Sequence, residues 1–374
     1  MKPRIVIAGQ IPPPWGGQNI MIAKAVTQFA RSQQCESVHL PFFFTPDFRG
    51  ARKAGIGKVS ELIKVIWRLL HLRLRGPIDL ILYPTGGPHT VPLVRDLLLL
   101  PWMFAISRGV VLHFHAAGSA DRLRNSNEWL PRVVSRLYRK AIAAIVMTQF
   151  NRRDPESVGI ERVLVVPIRI EDPFDAGALR PKEPGIIRLL YLGHLCPDKG
   201  TPALLEAFAL LHRAHPGLEL DLVGECLPPF TEADLKTLIL NLQIQSHVRL
   251  CGVLTGRAKA EAFGRADLFV FPTVAPYESF GLVLAEAMAW KLPIVASDWR
   301  GNADVLTPGA GAICFPVYPS LVRGISSAVS QAIEKRSRWP EWGGTNRSIF
   351  QQRYNEKEAQ DWLVEPILSL LHAT

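Results

Sequence analysis

Residues 272–293 read PTVAPYESFGLVLAEAMAWKLP, and the fold class follows from how this stretch divides. Two acids, Glu278 and Glu286, stand eight positions apart. On one helix, eight residues turn the second side chain ~80° from the first and carry it ~12 Å along the axis. The two carboxylates therefore do not share a helical face. The reading that fits puts Glu278 in a loop after a buried strand, Leu268 to Phe271, and Glu286 on a helix that opens near Phe280 or Gly281. Amides at such a helix start bind anions, and Gly281 lets a ligand approach the main chain. Glu286 is then placed to accept hydrogen bonds from a ribose diol. The plainer alternative is an amphipathic helix with a dipole-favoured Glu in its first turn and a second Glu on its wet face.

Working back along the chain, Arg188 to Leu192 reads as a strand. It runs into Gly193-His194-Leu195-Cys196-Pro197-Asp198-Lys199-Gly200 and then a helix from Thr201 to His212. A lysine in a glycine-bounded loop before a helix offers one phosphate a cation and N–H donors together. Further strands are expected at Leu218 to Val223, Val248 to Gly252 and Ile294 to Ser297, each followed by a turn. The first half repeats the scheme with strands at Arg4 to Ala8, Asp79 to Tyr83, Gly109 to His113, Ala144 to Thr148 and Leu164 to Pro167. Three prolines and the pair Gly16-Gly17 fix the turn after the first of these, ahead of a helix from about Asn19 to Arg31. Leu112-His113-Phe114-His115 ends another strand, with the two histidines on one side if the alternation persists.

With these pieces in place, the run from Glu278 to Glu286 resembles the E-x7-E signature of retaining nucleotide-sugar glycosyltransferases of family 4. The lysine loop is similar to that family's G-R-L-x-x-x-K-G, and the Gly16-Gly17 turn to its Gly-Gly loop. The resemblance implies a GT-B fold, in which two facing Rossmann-like doubly wound α/β domains flank a cleft and a C-terminal helix crosses back. It assigns donor binding to Gly16, Gly17, His194, Lys199, Glu278, Ser279, Phe280, Gly281, Leu282 and Glu286. Glu278 meets the sugar, Glu286 the ribose and His115 the acceptor or sugar; Glu278, Lys199 and His115 form the catalytic set. One departure matters, because His194 stands where the family has an arginine, and imidazole is a weaker diphosphate partner than a bidentate guanidinium.

Composition agrees with this class. At 374 residues with 48% apolar and 20% charged side chains, the chain has room for two domains and no disordered tract. The expected division is 1–170, a linker at 171–185, a donor domain at 186–354, and a helix over 355–374. Five cysteines with no C-x-x-C pair argue for a reducing compartment and against a zinc site. The start of the chain has no signal-peptide pattern, and Leu97 to Ile106 is too short to span a bilayer. A cytoplasmic protein, peripheral on the inner membrane face, is therefore expected.

Residues 1–170 hold 24 Lys+Arg against 10 Asp+Glu, whereas the remainder holds 19 against 23. A first half this basic attracts anionic surfaces. No nucleic-acid-binding motif accompanies the charge, so lipid or a phosphorylated acceptor ranks above nucleic acid. Between Arg49 and Arg75, apolar residues at 59, 62, 63, 66, 67 and 70 make one helical stripe bordered by cations. That stripe packs on the core or lies on anionic lipid.

The function expected is metal-independent transfer of a sugar, with retention, from a nucleoside diphosphate to a hydroxyl of a glycan or lipid-linked acceptor. A UDP-sugar is favoured, with GDP-mannose next, and no cofactor is expected. The rivals are an epimerase on a similar frame and a non-catalytic scaffold that binds nucleotide or anionic polymer.

Overall fold

The computed structural model describes residues 2–13, 17–44, 56–87, 89–123, 127–181, 183–359 and 361–372. The chain divides into two compact units, residues 1–168 with 359–374, and residues 169–358. The stretch 171–185, expected as a linker, therefore belongs with the second unit. It contributes a short turn at Ala176–Ala178 and is tied to that unit by Arg180 N–H donating to Gly264 O.

In the first unit six parallel strands are β1 (Arg4–Ala8), β2 (Glu36–Leu40), β3 (Ile78–Pro84), β4 (Ser107–His113), β5 (Ala143–Val146) and β6 (Val163–Val165). They lie in the order β2-β1-β3-β4-β5-β6. The central strands are buried on both faces, which explains their continuous Ile, Val and Leu content. Helices Ile56–Leu74, Thr90–Ile106 and Trp129–Tyr138 pack Val65, Leu69, Leu93, Leu99, Met103 and Val134 onto one core cluster.

The second unit repeats the plan with β7 (Ile187–Leu192), β8 (Leu218–Val223), β9 (Val248–Gly252), β10 (Leu268–Phe271), β11 (Ile294–Ser297) and β12 (Ala312–Phe315). Their order is β12-β11-β10-β7-β8-β9, again all parallel. The chain starts at β7 in the middle, builds outward to β9, then returns to β10 and builds to the other edge. The reversal falls between β7 and β10. Crevices at the carboxyl ends of such reversals are where doubly wound sheets bind ligands.

Two expectations are corrected. The helix expected over 355–372 is broken into a turn at Glu356–Glu358, a short helix Val364–Leu368 and a final turn Ser369–His372. Its start is lost because Asn355 is extended and pairs with Ile170: Ile170 N–H donates to Tyr354 O at 2.8 Å, and Glu356 N–H to Ile170 O at 2.9 Å. The apolar stripe on Ile56–Leu74 is also not one packed face. Val65 and Leu69 are fully buried, while Val59, Ile63 and Trp67 are 58%, 63% and 65% exposed.

Candidate functional site

The loops that follow β7 and β10 meet at the reversal in the second unit. After β7 the chain makes a tight turn, Pro197–Lys199, and Gly200 takes φ +76°. A Cβ on Gly200 would lie 2.2 Å from Pro272 O, so only glycine lets the two loops press together. Val274 N–H then donates to Asp198 O at 2.8 Å, which locks one loop to the other. The result is a contact between side chains 79 residues apart: Lys199 Nζ lies 2.5 Å from Glu278 Oε2.

Thr273 Oγ1 donates to the same carboxylate oxygen at 3.2 Å. The Lys199 ammonium also lies 5.5 Å from the Tyr277 ring centre and 5.9 Å from that of Phe271, within cation–π range. The two charged side chains are 13% and 10% exposed. Burial disfavours the ammonium, but the facing carboxylate and its hydrogen bond outweigh this and hold the Lys199 pKa above the ordinary lysine value. The lysine is thus a permanent cation at neutral pH. An ammonium donates three hydrogen bonds and Glu278 takes one, so the group can also meet a phosphate oxygen.

Glu278 stands in the loop and Glu286 on the helix Leu282–Ala289, as the spacing implied. Gly281 caps that helix in a left-handed conformation, φ +68°, and the amides of the first turn follow it. Phe280 is buried edge-to-face against Tyr354, so its side chain anchors the loop. Ser279 is buried beside it. Glu286 Oε1 accepts from Lys259 Nζ at 2.6 Å, while Oε2 is buried with no hydrogen-bond partner among the described residues. A buried carboxylate oxygen left over in this way is suited to a ligand hydroxyl.

His194 is half-buried at the head of the lysine loop. Burial, and then the Lys199 cation, lower its pKa against the opposing pull of Glu225 and Glu278. It is therefore neutral at pH 7 and, unlike an arginine, brings no positive charge to the loop.

The first unit holds the remaining candidates. Gly17 is exposed and opens the helix Gly17–Arg31; Gly16 lies outside the described residues. His113 ends β4, and its ring centre lies 3.9 Å from that of His115. Both histidines are buried beside a small apolar cavity lined by Ile7, Met21, Ile22 and Leu82. Burial lowers the His113 pKa to about 3, and burial, with the neighbouring His113 ring opposing a second proton, keeps His115 well below the ordinary value. Neither is protonated at neutral pH, so His115 is fitted to exchange a hydrogen bond and not to carry charge.

The second unit thus brings together His194, Lys199, Glu278, Ser279, Gly281, Leu282 and Glu286, and the first holds Gly17 and His115. Sequence reading missed Lys259, Thr273 and Tyr277. Lys259 lies in the first turns of helix Gly256–Arg265, just past the carboxyl end of β9. That position was the one available signal, and by itself it is shared with many surface lysines.

Residues 178–343, which lie in the second unit, match the family described as Glycosyl transferases group 1. A phosphatidyl-myo-inositol mannosyltransferase of Propionibacterium freudenreichii is 28% identical over 229 residues, which cover 59% of this chain and 54% of the relative. The chain thus spans about half the length of the curated relatives it matches. Among solved structures, sucrose-phosphate synthase of Thermosynechococcus elongatus has a TM-score of 0.75 at 16% identity, each chain covered in full. Anabaena HepE in complex with UDP has a TM-score of 0.73 at 17% identity, over 99% of this chain and 100% of the other. The fold is that of the GT-B glycosyltransferases, two six-stranded parallel α/β units.

Proposed function

We propose that this chain is a retaining, metal-independent glycosyltransferase that moves a sugar from a nucleoside diphosphate to a hydroxyl of a glycan or lipid-linked acceptor. The Lys199–Glu278 pair carries the reading, because it sits at the strand reversal of the second unit and nowhere else along that sheet. Lys199 meets the leaving diphosphate, helped by the amides that open helix Leu282–Ala289. Glu278 holds hydroxyls of the donor sugar, and Glu286, steadied by Lys259, takes the ribose diol.

In the reaction, the bond from the anomeric carbon to the phosphate oxygen breaks, and the acceptor oxygen bonds to the same face of that carbon. The acceptor proton passes to the departing phosphate oxygen. Charge on that oxygen grows as the bond opens, and a cation fixed before the reaction stabilises it at no further reorganisation cost. The donor is proposed to be a UDP-sugar, with GDP-mannose second. The bound UDP of the HepE structure supports the first choice, and the mannosyltransferase relative supports mannose as the sugar of the second. The acceptor is proposed to lie at a cytoplasmic membrane face.

The test is a nucleotide panel followed by transfer. UDP, GDP, ADP and dTDP are compared for thermal stabilisation of the full chain, where a true ligand at ~100 times its Kd adds ~2.7 kcal/mol. The corresponding nucleotide sugar is then incubated with and without acceptors. Stabilisation by one base and acceptor-dependent release of its diphosphate are expected. Failure of all four to stabilise refutes the reading, and epimerised donor with no diphosphate released replaces it with epimerase chemistry.

A further inference from the structure

The connections β2→β3, β3→β4 and β4→β5 all step across the first sheet in one direction. Right-handed crossovers then put their helices, Ile56–Leu74, Thr90–Ile106 and Trp129–Tyr138, side by side on one face. Their inner sides share one core cluster, as described above. Their outer sides are apolar as well. Ile63 and Trp67 on the first helix are 63% and 65% exposed, Leu98 and Trp102 on the second 44% and 42%, and Trp129 on the third 67%. On the first two helices these residues recur at intervals of four, so each forms an outward stripe opposite the packed one.

The charge on this layer has a single sign outside. Glu61 and Asp96 are the acids of the three helices, and both are buried. Glu61 accepts from Phe43 N–H at 3.1 Å and from Arg68 at 3.2 Å, and Asp96 from Tyr83 at 2.6 Å and Gly86 N–H at 2.9 Å. Lys64, Arg73, Arg132 and Arg136 are exposed around the apolar stripes. Glu128, just ahead of the third helix, is ion-paired with Arg122. Indole rings standing out of helices that expose cations and no acid are what the headgroup zone of an anionic bilayer accepts, because the rings enter the interface while lysine and arginine meet lipid phosphates.

We propose that this three-helix face, centred on Trp67, Trp102 and Trp129, docks the protein on an anionic lipid surface. A second copy of the chain fits less well, because facing layers would oppose like charges. The docking rests on the geometry of the first unit and not on the transfer reaction.

Co-sedimentation of the full chain with vesicles of phosphatidylcholine alone, or with about one third phosphatidylglycerol, tests it. Wild type is expected to partition at least about tenfold better onto the anionic vesicles, with a blue shift of tryptophan emission. W67S/W102S/W129S is expected to lower that partition at least about tenfold, and K64E/R73E to lower it in the same direction. Both variants should keep the wild-type thermal stabilisation by nucleotide, which shows that they are folded. Lys199→Ala should sediment as wild type does, which separates failure of this proposal from failure of the transfer reading. Equal partition onto both vesicles, no partition onto either, or unchanged partition of the triple variant overturns the proposal. A wild-type dimer that the triple variant breaks, with no vesicle binding, assigns the face to self-association instead.

Discussion

Replacing Lys199 by Met separates a structural ion pair from a catalytic one. The pair is largely shielded from solvent, so Lys199→Met strands the Glu278 carboxylate with Thr273 Oγ1 as its remaining side-chain donor. Removing one partner of a buried pair costs ~3 kcal/mol. In a unit of this size that lowers the melting temperature by roughly 6–12 °C. Glu278→Gln should cost less, because its amide oxygen still accepts from the ammonium. The informative variant is the double one, Lys199→Met with Glu278→Gln, which leaves no charge unpaired. It should recover most of the melting temperature, since replacing a buried pair by neutral groups of similar volume is often close to neutral. Turnover should not recover: loss of a preorganised donor to a developing anion costs about 10²–10³ in kcat. The assay is nucleoside diphosphate release with acceptor present, alongside thermal melting of the same preparations. A double variant that melts and turns over as wild type does would show the pair to be structural, and the reasoning would be refuted.

Three further outcomes follow from the same geometry. Glu286→Gln should weaken nucleoside diphosphate binding by about 10- to 100-fold, the value of a hydrogen bond to a charged group. It should leave inorganic pyrophosphate affinity unchanged in a calorimetric titration, and equal loss for both ligands would remove the ribose role. Gly200→Ala should lower stability by at least ~1–2 kcal/mol from its left-handed backbone alone and reduce turnover by displacing Lys199; wild-type melting would show that the loop relaxes freely. The His113 imidazole is neutral in the fold down to about pH 3, whereas an unfolded histidine takes up a proton below ~6.5. Its contribution to stability is therefore complete above ~6.5 and is lost as pH falls, by ~2 kcal/mol at pH 5. Melting of His113→Asn should accordingly change less than wild type between pH 7.5 and 5, and parallel curves would discount the burial.

Where the chain is buried on both sides, its letters were informative. Strands β1, β8 and β11 begin and end at the residues expected, because largely apolar runs bounded by Gly, Pro or Asp leave few alternatives. Strands β2 and β12 passed unnoticed. Both are edge strands of their sheets, only partly buried, and ESVHL and AICF carry too few core residues to stand out. The helix Ile56–Leu74 was legible and its orientation was not, since it is apolar on both sides and only the sheet decides which side turns inward. Glu278 and Lys199 were found because each sits in a patterned loop. Their partners Thr273 and Tyr277, and Lys259 beside Glu286, had no such pattern and became visible only when the strands were set in order. The C-terminal segment misled because its helical composition says nothing of the pairing between Ile170 and Asn355.

The amide bridge from Val274 to Asp198 separates the chemistry of this site from its selectivity. Because main-chain atoms hold cation and carboxylate in register, side chains at the rim, His194 first among them, are free to vary without loosening that grip. A laboratory search for new donors should therefore randomise His194 and leave both glycine-braced loops intact. On the proposed reading, an arginine at that one position should tighten diphosphate capture.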